Sequence, residues 1–258
     1  MCLLVVAWMS HPRYRLVVAG NRDEFHERPA QPLGWWHDEP GILAGRDLRA
    51  GGTWLGLSRS GRFGLVTNFR DAGTTPSLDA PSRGQLVPGF LRDTAEPAEF
   101  LAGLHRDAAR FAGFNLLLGD PAGLHYYSNV GDDAPRALPP GIYGLSNHRL
   151  DEPWPKLVRT RAAFAAVLEH AEPGPAALAG LLADRTPADL DPPPDRGLPR
   201  DLERALSAPF VRHDRYGTRC STVVLVGHDG HTVVHERRFD PAGAQVGATR
   251  IEFAERAG

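Results

Sequence analysis

The chain has 258 residues, 42% of them hydrophobic and 23% charged, with a net charge of −2. These are globular values without the basic footprint of a nucleic-acid binder. Two cysteines make no disulfide framework, and no apolar run approaches the ~18 residues of a membrane span. One cytoplasmic domain over residues 1–258 is expected, in a reducing compartment and without a signal peptide, because no basic stretch precedes the first apolar run. Lys156 is the one lysine among 29 basic residues. With the abundant Ala, Gly and Pro, that bias points to a GC-rich bacterial gene.

The elements follow in chain order. Residues 3–8 form a short apolar run of buried-strand type. Ser10-His11-Pro12-Arg13 turns into a second strand at 14–20, which ends in Asn21-Arg22-Asp23-Glu24-Phe25. Short extended pieces occupy 31–45, with the pair Trp35-Trp36. Residues 53–57 and 62–67 flank Ser60-Gly61 as a hairpin. Residues 71–81 have loop composition, and Ser82 is a candidate cap for a helix that turns Leu86, Val87, Phe90 and Leu91 inward. Pro97 suits the first turn of the next helix, ending near Arg110. Residues 113–119 and 124–128 read as paired strands. A helix at 154–170 places Leu157, Phe164, Val167 and Leu168 near one side, and a shorter helix runs through 176–183. The Pro- and Asp-rich stretch 184–199 reads as a surface excursion, and 222–227 with 231–237 forms the last hairpin about Asp229-Gly230. Strands, then helices, then strands fit an α+β class.

Cys2 stands where the first strand begins. So small a second residue favours removal of the initiator Met, which leaves a thiol and a free α-amine on one residue. The amine pKa is about 7.7–8.0, so its neutral fraction near pH 7 can take the thiol proton. The plainer use of Cys2 is as a small apolar core residue. In a hairpin the end of strand 2 lies beside the start of strand 1, so residues 21–24 are expected near Cys2. An Arg there favours the thiolate below the ordinary thiol pKa of about 8.5, and a carboxylate can hold the amine.

Other polar positions have two uses each. Asn68, after an apolar β-run, and Asn147, after residues 142–145, can donate to a developing oxyanion or simply form turns. By alternation Arg219 points inward with Ser221, and Cys220 faces the other way as packing. His228, His231 and His235 cluster in sequence, but Asp229-Gly230 makes that segment a hairpin. C-x-x-C, H-E-x-x-H and C-x-x-C-H are absent, so no metal and no cofactor is expected, although a noncovalent haem could use any exposed His. Trp35, Trp36 and Trp54 suit an apolar pocket or core packing.

Asn21-Arg22-Asp23-Glu24 resembles the signature that names the NRDE family, also called the transport-and-Golgi-organisation two-like family. Further matches run in family order through almost the whole chain: Gly51-Gly52-Thr53-Trp54-Leu55-Gly56, Thr67-Asn68-Phe69-Arg70, Ser82-Arg83-Gly84, Phe114-Asn115-Leu116-Leu117, Gly144-Leu145-Ser146-Asn147 with Asp151, Pro153, Trp154 and Lys156, and Tyr216-Gly217-Thr218-Arg219-Cys220-Ser221-Thr222-Val223. The resemblance implies an N-terminal-nucleophile (Ntn) hydrolase fold, an α+β four-layer αββα sandwich of two antiparallel sheets. It implies less about reaction, since roles proposed for the family range from amide hydrolysis to haem or lipid handling.

Cysteine acylases and bile-salt-hydrolase-like members of the wider superfamily combine an N-terminal Cys, an Arg, an Asp, Asn residues and a later Arg. On that likeness the catalytic roles fall to Cys2, Arg22, Asp23, Asn68, Asn147 and Arg219, and substrate contacts to Glu24, Trp54, Phe69 and Ser221. In the acylases the Arg and Asp are separated, whereas here they adjoin, so Asp23 and Glu24 both stay open as the partner of the amine. The implied activity is a cysteine amidohydrolase acting on a linear C–N amide bond of a small molecule. The rival is a carrier of haem or another apolar ligand, without turnover.

Overall fold

The computed structural model describes residues 2–70, 80–131, 133–170, 172–188 and 199–256. Met1, residues 71–79, which were expected as loop, and most of the Pro- and Asp-rich stretch, 189–198, lie outside the described residues. In chain order the strands and helices are β1 (Leu3–Trp8), β2 (Tyr14–Phe25), β3 (Ala30–Trp35), β4 (Ile42–Asp47), β5 (Leu55–Ser58), β6 (Phe63–Asn68), α1 (Leu86–Arg92), α2 (Pro97–Asp107), β7 (Phe114–Gly119), β8 (Leu124–Ser128), β9 (Arg136–Ala137), β10 (Gly141–Leu145), α3 (Pro155–Leu168), α4 (Pro175–Leu181), α5 (Arg200–Leu206), β11 (Tyr216–Gly227), β12 (His231–Phe239) and β13 (Gln245–Ala254). The class is α+β with two antiparallel sheets, as expected. The chain forms two compact units, one of Met1–Glu27, Pro140–Ser146 and Leu150–Glu252, the other of Arg28–Pro139, Asn147–Arg149 and Phe253–Gly258.

In the first unit the sheet order is β10-β1-β2-β11-β12-β13. Alternation along the strands sends Val5, Ala7, Val17, Ala19, Val223 and Leu225 to one face, where they meet Phe164 and Leu168 of α3 and Leu178 and Ala179 of α4. Burying each large apolar side chain contributes about 1.5–3 kcal/mol. At the end of β10, Asp151 adopts a left-handed conformation at φ 60°. Its N–H donates to the Gly144 carbonyl, and its carboxylate accepts the Gly144 N–H, both at 2.7 Å. That reciprocal pair fixes the chain between β10 and α3.

In the second unit sequential neighbours pair in the order β3-β4-β5-β6-β7-β8-β9. Leu86, Val87, Phe90 and Leu91 of α1 and Leu101 of α2 cover one face, against Ile42, Ala44, Val66, Leu116, Leu118 and Tyr127. The helix face expected from the sequence is therefore the buried one. Ser82 is not a side-chain cap: a single 3₁₀ turn, Arg83–Gln85, comes first, and the Ser82 carbonyl accepts the Gln85 N–H. Among the three tryptophans proposed for a pocket, Trp35 lies under the Arg59 guanidinium and against Phe253, and Trp36 is buried beneath Arg46. Trp54 presses on Gly45, which has no room for a Cβ there.

Several elements were not legible, β13 and α5 among them. None of the residues of β13 is buried, so its alternation has no apolar face to announce it. In α5 only Leu206 is buried.

Candidate active site

The β1–β2 hairpin has the register that the site needs. Leu3 pairs with Asn21, so the preceding residue, Cys2, lies opposite Arg22. Asn21-Arg22-Asp23-Glu24 is continuous strand and is framed on its other side by β11, where Ser221, Cys220, Thr218 and Gly217 pair with Asn21, Arg22, Asp23 and Glu24. A β-bulge between Thr218 and Cys220 leaves Arg219 unpaired. The extra residue breaks the alternation assumed from the sequence. It falls before Cys220, so Arg219 is the residue whose facing alternation does not give; Cys220, paired with Arg22 while Ser221 pairs with Asn21, faces away from Ser221 as expected and is buried. Cys2 and Cys220 are thus two strand spacings apart, about 9–10 Å, beyond the ~7 Å limit of a disulfide.

Asn21 and Asp23 face the helices. Asn21 Nδ2 donates to the carbonyls of Leu182 and Pro209, both at 2.9 Å, and Ser221 Oγ lies 2.6 Å from Asn21 Oδ1. Both residues thereby brace the strand against the segments that follow α4 and α5. Asp23 is almost fully buried. Its Oδ1 accepts the Thr218 hydroxyl at 2.7 Å, and its backbone carbonyl accepts the Tyr216 phenol at 2.7 Å. Burial pushes the Asp23 carboxyl up, with Lys156, Thr218 and Arg22 pulling the other way.

The Cys2 thiol also behaves differently from the sequence expectation. Burial raises its pKa, and the charge of Asp23 adds to that. The Asp23 backbone N–H and Arg22 favour the thiolate without outweighing burial. Arg22 is itself buried, with Nη2 3.8 Å from Glu24 Oε2. Glu24 Oε1 accepts the Phe25 N–H at 2.9 Å. Arg219 Nη1 donates to the carbonyls of Phe25 at 3.0 Å and His26 at 2.7 Å. Burial and the like charge of Arg22 lower its pKa, and Glu24 opposes them. The structure therefore gathers Cys2, Arg22, Asp23, Glu24 and Arg219 around the start of β1.

The second unit gathers the remaining candidates. Asn147 Nδ2 donates to the Asn68 carbonyl, and the Arg70 N–H donates to the Asn147 carbonyl, both at 2.8 Å. Phe69 stacks against His148 with ring centroids 4.8 Å apart. Asn115 is the hub that the sequence reading missed. Fully buried on β7, it donates to Thr67 Oγ1 and to the His148 carbonyl and accepts the Tyr126 hydroxyl. One amide thus joins two of the quoted motifs, those of Asn115 and Thr67, to the residue that follows Asn147. Thr218 and Lys156 were missed in the same way. Lys156 is buried and donates to the Leu206 carbonyl at 2.8 Å. Among the described residues no group of three His, Cys, Asp or Glu side chains is placed to hold a metal ion, and no helix is long and apolar enough to cross a membrane.

A family model described as Transport and Golgi organisation 2 matches residues 1–241. The chain belongs to that family. The Transport and Golgi organization protein 2 homologs of Bos taurus and Homo sapiens are 35% and 34% identical to it, each alignment covering 92% of both chains. The Transport and Golgi organization protein 2 of Drosophila melanogaster is 28% identical over 67% of both. Among solved structures, penicillin V acylase from Agrobacterium tumefaciens superposes with a TM-score of 0.54 at 11% identity, covering 98% of this chain and 86% of its own. A mutant conjugated bile acid hydrolase from Clostridium perfringens gives 0.51 at 6% identity, covering 98% and 92%. At such identities the likeness speaks for the fold alone, and that fold is the Ntn-hydrolase fold. This chain thus has the fold that the motifs implied.

Proposed function

We propose that this family member is a cysteine Ntn amidohydrolase that cleaves a linear C–N amide of a small molecule. The observation that supports this most is the setting of Cys2: it heads β1 opposite Arg22, receives the Asp23 N–H, and lies beside a buried carboxylate that Thr218 holds in place. A packing cysteine needs none of these. After removal of Met1, the α-amine takes the thiol proton as Sγ attacks the amide carbonyl and the C–N bond breaks. That proton leaves with the amine product. Water then cleaves the thioester to the acid and restores the thiol. Asp23 is the candidate partner of the amine, and Glu24, paired with Arg22, a substrate contact. We further propose, on the resemblance of the motifs, that the amides of Asn68 and Asn147 donate to the oxyanion.

A second reading has its own support. Burial raises the Cys2 thiol above its ordinary value, as suits a scaffold that carries an apolar ligand such as haem or a lipid without turnover. The two readings part on Cys2→Ala and Cys2→Ser. A hydrolase loses turnover across an N-acyl amide panel in both variants while ligand affinity hardly moves, because the lost interaction exists only in the transition state. A carrier shows binding without turnover, and Cys2→Ala still complements a deletion strain. That complementation would overturn the hydrolase reading. Asn68→Ala is expected to slow turnover by roughly 10²–10³ as an oxyanion donor.

A further inference from the structure

In a chain that otherwise uses arginine, Lys156 is buried. Arginine presents a wide planar fork, whereas lysine brings a compact point charge on a slim stem. The fold shows where that charge goes. Lys156, Thr160, Phe164 and Leu168 recur every four residues of α3 and are all buried, forming one stripe. Phe164 and Leu168 pack with Val5, Ala7, Val17 and Ala19. Past the C-terminal end of α3, His11 Nε2 lies 3.2 Å from the His170 carbonyl, at the tip of the β1–β2 hairpin. The Lys156 end of the stripe, about 18 Å away at ~1.5 Å per residue, therefore lies over the open end of that hairpin. Along β2 the same face runs from Val17 through Ala19 and Asn21 to Asp23, about 20 Å at ~3.3 Å per residue.

The connections at that end agree. Lys156 Nζ is fixed by the Leu206 carbonyl at 2.8 Å, and the segment after Leu206 is tied back to the sheet. Asn21 holds the Pro209 carbonyl, and the Val211 N–H donates to Thr218 Oγ1 at 2.9 Å, which in turn donates to Asp23 Oδ1.

We propose that Lys156 is a positioning residue whose buried ammonium keeps the Asp23 carboxylate ionised and oriented for the α-amine of Cys2. The inference rests on the N-terminal-nucleophile reading. The groups that act on Asp23 are the chain's N-terminal amine, Arg22 within β2, Lys156 from α3, and Thr218 and the Tyr216 phenol from β11, with the Cys2 thiol coupled to it from β1. Arg22 sits on the opposite face with Glu24, so of the two side-chain cations that act on Asp23 among the described residues, Lys156 is the one that approaches from the helix side. Without it, a carboxylate this buried takes up a proton, and a neutral Asp23 no longer holds a charged amine.

A single lysine makes the test direct. Selective isotope labelling of lysine gives one side-chain signal from the wild-type protein. That signal is expected to step with pH as Asp23 titrates, and the step is expected to vanish in Asp23→Asn. In Lys156→Met the acid limb of Cys2 alkylation by iodoacetamide is expected to shift, because both the Asp23 charge and the amine that it holds act on the thiol, with Lys156→Arg closer to wild type. A lysine with only a structural role would lower Tm and leave the limb in place. A signal without a step that Asp23→Asn removes, or a Lys156→Met profile that coincides with wild type, overturns the proposal. The wild-type signal decides the matter if Lys156→Met does not fold. Turnover that persists in Cys2→Ala would instead sink the hydrolase reading, a separate result from either of these.

Discussion

Gly52 meets the backbone of Gly84 so closely that a Cβ on Gly52 would lie 2.2 Å from the Gly84 carbonyl oxygen, and the next residue, Thr53, donates its N–H to that same oxygen at 2.9 Å. Two separate glycine-bearing motifs are therefore one contact, between the chain entering β5 and the turn that starts α1. The obstacle is backbone on both sides, so it cannot rotate away. Gly52→Ala is expected to lose at least the ~1–3 kcal/mol typical of overpacking, read as a lowered urea midpoint. Gly34→Ala, where nothing lies within 4 Å of the added carbon, is expected to stay within ~0.5 kcal/mol. Equal losses at the two positions would refute the contact as the cause.

Thr218 offers a prediction of another kind. Its hydroxyl accepts the Val211 N–H and donates to Asp23, both within the buried interior. Thr218→Val keeps the shape and strands both partners, each at a cost of about 1–3 kcal/mol. Thermal melting is expected to show that loss, and Thr218→Ser to recover most of it. Failure of the serine variant to rescue would mean that the methyl group, not the hydroxyl, holds this position.

What was legible in the sequence depended on distance along the chain. The α1 face of Leu86, Val87, Phe90 and Leu91 was readable because helical period is a local property. So was the nearness of residues 21–24 to Cys2, because hairpin geometry carries the end of one strand to the start of the other. The Arg219 bulge was not, since one inserted residue leaves no mark on composition and reverses the facing of every side chain beyond it. Nor was the direction of the Cys2 pKa: an adjacent Arg is visible in sequence, but the burial that outweighs it exists only in the folded chain. Asn115, Lys156 and Thr218 stood inside recognised motifs, yet their roles come from partners many residues away.

Asp47 predicts acid sensitivity. Although burial opposes ionisation, Arg28 at 2.5 Å and the N–H groups of Ala50 and Arg49 hold its carboxyl below the ordinary value. A depressed folded pKa gives stability that is present above the unfolded value of about 3.9 and is lost as pH falls through the folded pKa. The stability gap between wild type and Asp47→Asn is therefore expected to be level from pH 5 to 7 and to shrink below about pH 4. A gap that persists undiminished at pH 2–3 would show that the charge is not its source. Asp23, with a raised pKa, contributes in the reverse sense, its share being present below the unfolded value and lost as pH rises through the folded one.

The start of the chain decides whether the free-amine mechanism can operate. With Cys at position 2, the initiator Met is expected to be absent from protein made in bacteria, and intact-mass analysis reads this as the loss of one Met. Quantitative retention of Met1 would remove the amine as base, because an acylated nitrogen cannot take the thiol proton.

The two cysteines should differ in reactivity, and Arg22 lies between them in the same row. Burial raises the Cys2 thiol in spite of Arg22, and it raises Cys220 well above the usual value, with the carboxylate of Glu236 adding to the effect. Alkylation by iodoacetamide is therefore expected to be slow at both sites at pH 7 and to accelerate with pH at Cys2 first, since Cys2 is half-buried and Cys220 fully so. Arg22 favours the thiolate at both positions, so Arg22→Ala is expected to push both profiles to still higher pH. Peptide mapping after timed alkylation across pH 6–10 separates the two sites. An unchanged Cys2 profile in Arg22→Ala would remove Arg22 from thiol activation and leave it as the partner of Glu24. A Cys2 that reacts rapidly at pH 6 would show that the thiol is activated by a charge strong enough to overcome its burial, and the α-amine exposed by loss of Met1 is the group that could supply it.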